Sequence, residues 1–125
     1  MMYIAFGVFL VLHGFAHLVG FAGSWGLSSS IVPQRALLNG HITLGVGGIR
    51  LMGIVWVVLA GAFVLTAAAV ARQQAWWPRA TIVVALASLV VCILGLPEAK
   101  VGVVLNALII AGTLLFVLLR APSSV

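Results

Sequence analysis

Apolar residues fill four stretches of this chain, 3–23, 51–71, 80–96 and 101–119, and none of the four contains an Asp, Glu, Lys or Arg. Each is about 17–21 residues long, enough at ~1.5 Å per residue to cross or nearly cross a ~30 Å hydrocarbon layer as a helix. The polar positions fall between them. Arg50 and Arg72 bracket the second stretch, Trp76-Trp77-Pro78-Arg79 opens the third, Pro97-Glu98-Ala99-Lys100 separates it from the fourth, and Arg120 precedes a short polar tail. Indole rings and long cationic side chains settle at the edge of a bilayer, so these flanks are what membrane-crossing helices require. Only helices satisfy every backbone group in such runs, and the short later connections predict an antiparallel four-helix transmembrane bundle in one integral membrane domain.

The first connection, 24–50, is longer. Ser28, Ser29 and Ser30 are candidate helix caps, Ile31, Leu37 and Leu38 give an apolar side, Gln34 and Arg35 a polar one, and Asn39-Gly40 a stop signal. This predicts a short interfacial helix over about 31–38. The strip 41–49 carries Gly45, Gly47 and Gly48 in an apolar setting, and reads either as re-entrant or as an early start of the second helix.

Composition agrees with the pattern. Of 125 residues, 65% are hydrophobic and 6% charged, against roughly a quarter charged in soluble domains, which excludes an ordinary soluble globule. Six basic residues against one acidic residue give a net charge of +5. The basic residues stand singly, without a basic and aromatic surface, so nucleic acid is not an expected partner. Three of them (Arg72, Arg79, Arg120) fall on the side of both termini and three (Arg35, Arg50, Lys100) on the other, so the positive-inside rule abstains. The longer first connection is the better one to translocate, which places both termini in the cytoplasm. The first stretch lacks a basic n-region and a small-residue cleavage pattern, and is expected to remain as an anchor.

The few polar residues inside the stretches select the inward faces. Thr81, Ala85, Ser88, Cys92 and Gly95 form a small-residue line on the third helix; Gly102, Asn106, Ile109 and Thr113 do so on the fourth; Phe6, Leu10, His13, His17 and Gly20 lie along the first. Counting ~1.5 Å per residue from each entry sets His13 level with Ser88 and His17 level with Cys92. Asn106 enters from the opposite side to meet them. The expected polar focus is therefore His13, His17, Cys92 and Asn106, under a roof that includes Lys100. His41, Arg50 and Glu98 sit at the same interface as a docking edge.

Several chemistries compete for that focus. Two histidines one turn apart with a cysteine nearby are a weak metal signal, and haem is weaker, because His13 and His17 share a helix and only His41 remains as a partner. A quinone, lipid headgroup or other small amphiphile could use His17 and Asn106 for hydrogen bonds and Lys100 or Arg50 for an anionic group. Catalysis would need a base and a nucleophile, and Glu98 is the single carboxylate. The plainest role is structural, with His13, His17, Ser88, Cys92 and Asn106 cementing helix packing. An ionisable group in a membrane is nevertheless a functional candidate by default. Cys92, the one cysteine, cannot form an internal disulfide.

The segment His13-Gly14-Phe15-Ala16-His17-Leu18-Val19-Gly20-Phe21 resembles the HGxxHLxGF first helix of a family of small, functionally uncharacterised bacterial membrane proteins. Those proteins have a tryptophan-rich entry to the third helix and a D-A-K-x-G-x-x-x-N segment opening the fourth. Here that segment reads Glu98-Ala99-Lys100-Val101-Gly102-Val103-Val104-Leu105-Asn106, with glutamate in place of aspartate. The resemblance implies a four-helix fold, a bacterial inner membrane and a shared role for His13, His17, Lys100, Gly102 and Asn106. It implies no activity or cofactor.

From sequence, then, the chain is expected to be a non-catalytic accessory or stabilising subunit of a larger membrane complex, of transporter or respiratory type, or a homo-oligomer. The alternative is a membrane-embedded binding module for a lipid, quinone or metal.

Overall fold

The computed structural model describes residues 1–120; the polar tail 121–125 lies outside the described residues. Four helices carry the fold: α1 (Met2–Ser24), α2 (Val46–Ala71), α3 (Trp77–Leu94) and α4 (Lys100–Arg120). All four are long and apolar enough to cross a membrane, the character of an integral membrane protein. Their outward surfaces bear large apolar side chains such as Leu12, Phe15, Val58, Leu65, Val83, Leu108 and Leu115.

Local chemistry sets the helix ends. Beyond α1, Leu27 N–H donates to Ala22 C=O at 2.9 Å and Gly26 adopts φ +65°, the left-handed residue that lets the chain fold back over the last turn. Gln73, at φ +51°, closes α2 in the same way, with Gln74 N–H donating to Ala69 C=O at 3.0 Å. Pro78 lies in the first turn of α3, where its missing N–H costs nothing. α2 begins at Val46, so the second helix does start early. Its 26 residues span about 39 Å, and the re-entrant alternative is excluded for 46–49.

The interfacial helix expected over 31–38 does not form. Ala36–Leu37 (β1) and Ile42–Thr43 (β2) instead make an antiparallel hairpin, paired Ala36 with Thr43 and Leu37 with Ile42. Asn39-Gly40 acts as its turn rather than as a helix stop: Leu38, Asn39 and Gly40 all have positive φ, at 51°, 54° and 90°. Pro33 disfavours helical geometry at Val32, and an eight-residue helix holds few bonds against its nucleation cost. The hairpin is anchored from outside, by Leu38 N–H donating to Leu94 C=O at 2.8 Å at the end of α3.

Inside, α1 lies closely against α2. A Cβ built on Gly14 would meet Phe63 Cβ at 3.0 Å and Ala60 O at 3.1 Å, and one on Gly7 would meet Ala67 O at 3.3 Å. Glycines seven apart thus let two backbones approach, as small residues do where lipid gives no hydrophobic drive to associate. One apolar cluster joins Leu10, Phe63, Ala67, Val70, Trp77, Ala85 and Ile109; a second joins Trp56, Leu59 and Cys92. Tyr3 meets Trp77 and Phe116 edge to face at one end, its ring centroid 6.2 and 6.0 Å from theirs. Thr66, Thr81 and Thr113 return their hydroxyls to the carbonyl four residues back, each at 2.8 Å, and so need no partner helix.

Candidate functional site

Four polar side chains from three helices meet in the interior. Asn106 of α4 is fully buried, and its Nδ2 donates to Gly102 C=O at 2.8 Å and to Ser88 Oγ at 2.9 Å, with Cys92 Sγ at 3.7 Å. Because a carbonyl can only accept, the contact with Gly102 fixes which end of the amide is nitrogen. Its Oδ1 therefore faces His13, whose Nε2 donates to it across 3.3 Å. His17, one turn on, pairs its Nε2 with Ser88 Oγ at 2.9 Å. The histidines are 5% and 6% exposed.

Aromatic rings hold them in place. Phe63 of α2 meets His13 edge-on at 4.7 Å between centroids and His17 at 5.5 Å, and Trp56 lies 5.3 Å from His17. The histidine rings are 4.9 Å apart. Trp56 and Phe63 received no role from sequence, because an aromatic residue in a uniformly apolar span does not announce the direction it faces.

The network floors a cavity of about 720 Å³. Its wall includes His13, His17, Trp56, Cys92, Gly102 and Leu105 from the helices, Gln34 and Arg35 from the segment before β1, and Pro97 and Glu98 from the turn between α3 and α4. Most of that wall is apolar, and it includes one cation and one anion, the exposed Arg35 and Glu98. The roof expected from the Pro97–Lys100 turn is supplied by Pro97, Glu98 and Ala99 without Lys100, joined by the first connection. Gln34 comes so near that a Cβ on Gly95 would fall 2.8 Å from its Nε2.

Of the residues singled out from sequence, the structure brings His13, His17, Cys92 and Asn106 together and sets Glu98 at the rim. Lys100 opens α4 as an exposed residue outside the cavity wall. Arg50 lies within α2, its guanidinium 5.6 Å from the Trp25 ring centroid, and His41 is exposed in the hairpin turn. The expected docking edge is therefore spread over separate elements. Among the described residues, no group of three His, Cys, Asp or Glu is placed to hold a metal ion. His13 and His17 engage each other's neighbours by hydrogen bonds rather than converging on a common point, so the residues present do not fit a metal or haem centre.

No family model, curated protein or solved structure matches the chain.

Proposed function

We propose that this protein is an antiparallel four-helix integral membrane protein that binds a small neutral amphiphile, without catalysing its conversion, in the cavity between α1, α3, α4 and the hairpin. The observation that carries this is the cavity itself: about 720 Å³, mostly apolar, ending on a histidine pair and roofed by a segment that could have been a shorter loop. The wall carries one cation, Arg35, and one anion, Glu98, and this balance of charge favours a ligand without net charge over an anionic headgroup. Contact of Tyr3 near the start of α1 with Phe116 near the end of α4 supports the antiparallel arrangement. The bacterial inner membrane, with cytoplasmic termini, belongs to the same proposal.

Protein extracted in mild detergent is expected to carry about one amphiphile per chain, detected by native mass spectrometry and identified after solvent extraction. Ala16 and Leu105 both line the cavity, and Ala16→Trp with Leu105→Trp should obstruct it and abolish the bound species while leaving the helical spectrum intact. Unaltered protein arriving empty from its native membrane, or an obstructed variant that retains the ligand, would refute the assignment.

An accessory subunit is the second reading, favoured by α4, which buries only Asn106, Ile109 and Thr113. Crosslinking in the native membrane tests it: a reproducible partner attached through the α4 face supports this role, and a chain that stays uncrosslinked counts against it.

A further inference from the structure

The hydrogen bonds of the buried network leave little freedom for its protons. Asn106 Nδ2 is committed to Gly102 C=O and Ser88 Oγ, so Ser88 accepts there and its own proton must go elsewhere. Its other partner is His17 Nε2 at 2.9 Å. When Ser88 donates to that nitrogen, the neutral imidazole carries its hydrogen on Nδ1; were His17 a cation, Nδ1 would carry one too. At the far end, His13 Nε2 must donate to Asn106 Oδ1, which leaves Nδ1 of the neutral ring as an unprotonated acceptor, enclosed and without a partner among the described residues. With Ser88 donating to His17, the donors run in one direction, His13 to Asn106 to Ser88 to His17, each bond polarising the next. His17 lines the cavity, and among the described residues its Nδ1 has no hydrogen-bond partner, yet it is not sealed off as His13 Nδ1 is.

We infer that His17 Nδ1–H is the recognition donor of the cavity, and that the ligand is an uncharged amphiphile presenting a carbonyl oxygen to it, a quinone ring or the ester of a neutral lipid. This rests on the amphiphile-binding role proposed above and specifies its chemistry. A donor in an otherwise apolar pocket rejects a ligand that cannot accept, because the N–H would be stranded away from water. Trp56, 5.3 Å from the His17 ring, supplies a flat apolar wall beside the carbonyl. Ser88 and Asn106 are positioning residues, which fix the tautomer and touch no ligand.

The test uses the full chain in lipid nanodiscs with ¹⁵N-histidine, titrated with a decyl-substituted benzoquinone, a monoacylglycerol and decylbenzene, which lacks an acceptor. Nitrogen shifts should show His17 protonated on Nδ1 and His13 on Nε2. A carbonyl probe should bind about five- to tenfold more tightly than decylbenzene, the equivalent of one hydrogen bond, and should move the His17 Nδ1 signal; whether quinone or ester does so identifies the source. His17→Phe should reduce that preference to about unity, and Ser88→Ala, which keeps the ring but frees its tautomer, should weaken it partway. Equal binding of all three probes would overturn the inference while leaving the amphiphile cavity standing, whereas binding of none would overturn both. If His17→Phe does not fold, the tautomer shifts of the unaltered chain and the Ser88→Ala preference decide. An unprotonated His17 Nδ1 would be fatal.

Discussion

Replacing Asn106 with leucine is expected to lower the unfolding free energy by about 3 kcal/mol, the sum of interhelical bonds worth on the order of 1 kcal/mol each and the cost of stranding their partners. Asn106 ties α1 and α3 to its own helix, through His13, Ser88 and the Gly102 carbonyl. Leucine has the same branched outline of side-chain atoms and leaves no void, so the loss would report hydrogen bonding more than an empty space. Reversible unfolding in mixed micelles of increasing dodecyl sulfate measures it. Thr113→Val on the same helix is the comparison: its hydroxyl bonds only to Ile109 C=O within α4, and its loss should cost less than about 0.5 kcal/mol. If the two variants unfold alike, the network contributes nothing that packing does not.

A loss of similar size, about 3 kcal/mol, is expected for Gly14→Ile, at the upper end of what overpacking costs in a tight interior. The obstacle is partly backbone: the Cβ alone would stand 3.1 Å from Ala60 O and 3.0 Å from Phe63 Cβ, and neither can swing aside as the tip of a side chain could. α1 would have to withdraw from α2, carrying His13 and His17 on either side of Gly14 out of register with Asn106 and Ser88. Gly61→Ala, where nothing lies within 4 Å of the added carbon, should be neutral or stabilising by up to about 1 kcal/mol, because alanine favours the helix. The same micelle titration reads both. A mild Gly14→Ile variant would mean that the helix pair yields more readily than its geometry indicates.

The spans were legible because charges are confined to their ends. Their limits shifted where the chain offers two signals at once. Trp77 and Pro78 read equally as an interfacial entry or as a first helical turn, and α3 takes the second course; the glycines at 45, 47 and 48 hide the start of α2. The convergence of His13, His17, Cys92 and Asn106 follows from helical spacing, but the pairing does not. Counting from expected entries set Ser88 level with His13, whereas Ser88 bonds His17, one turn further along. Tyr3 meets Trp77, which agrees with that count to within one position, so the His17–Ser88 bond is a diagonal reach by an imidazole that leans back toward the start of α1. Two things left no readable trace. Trp56 and Phe63 reach the histidines from a helix with almost no polar residue to orient it, and Asn39-Gly40 serves as well for a hairpin turn as for a helix stop.

The division of labour among the helices bears on how the chain is made. α1 and α2 adhere through glycine and alanine, contacts available as soon as both have left the ribosome, but the groups that satisfy His13 and His17 come from α3 and α4. Until α3 brings Ser88 and α4 brings Asn106, the nascent chain holds two imidazoles without these partners. The polar bonds of α1 are thus closed by the later helices, whereas its packing against α2 needs neither of them.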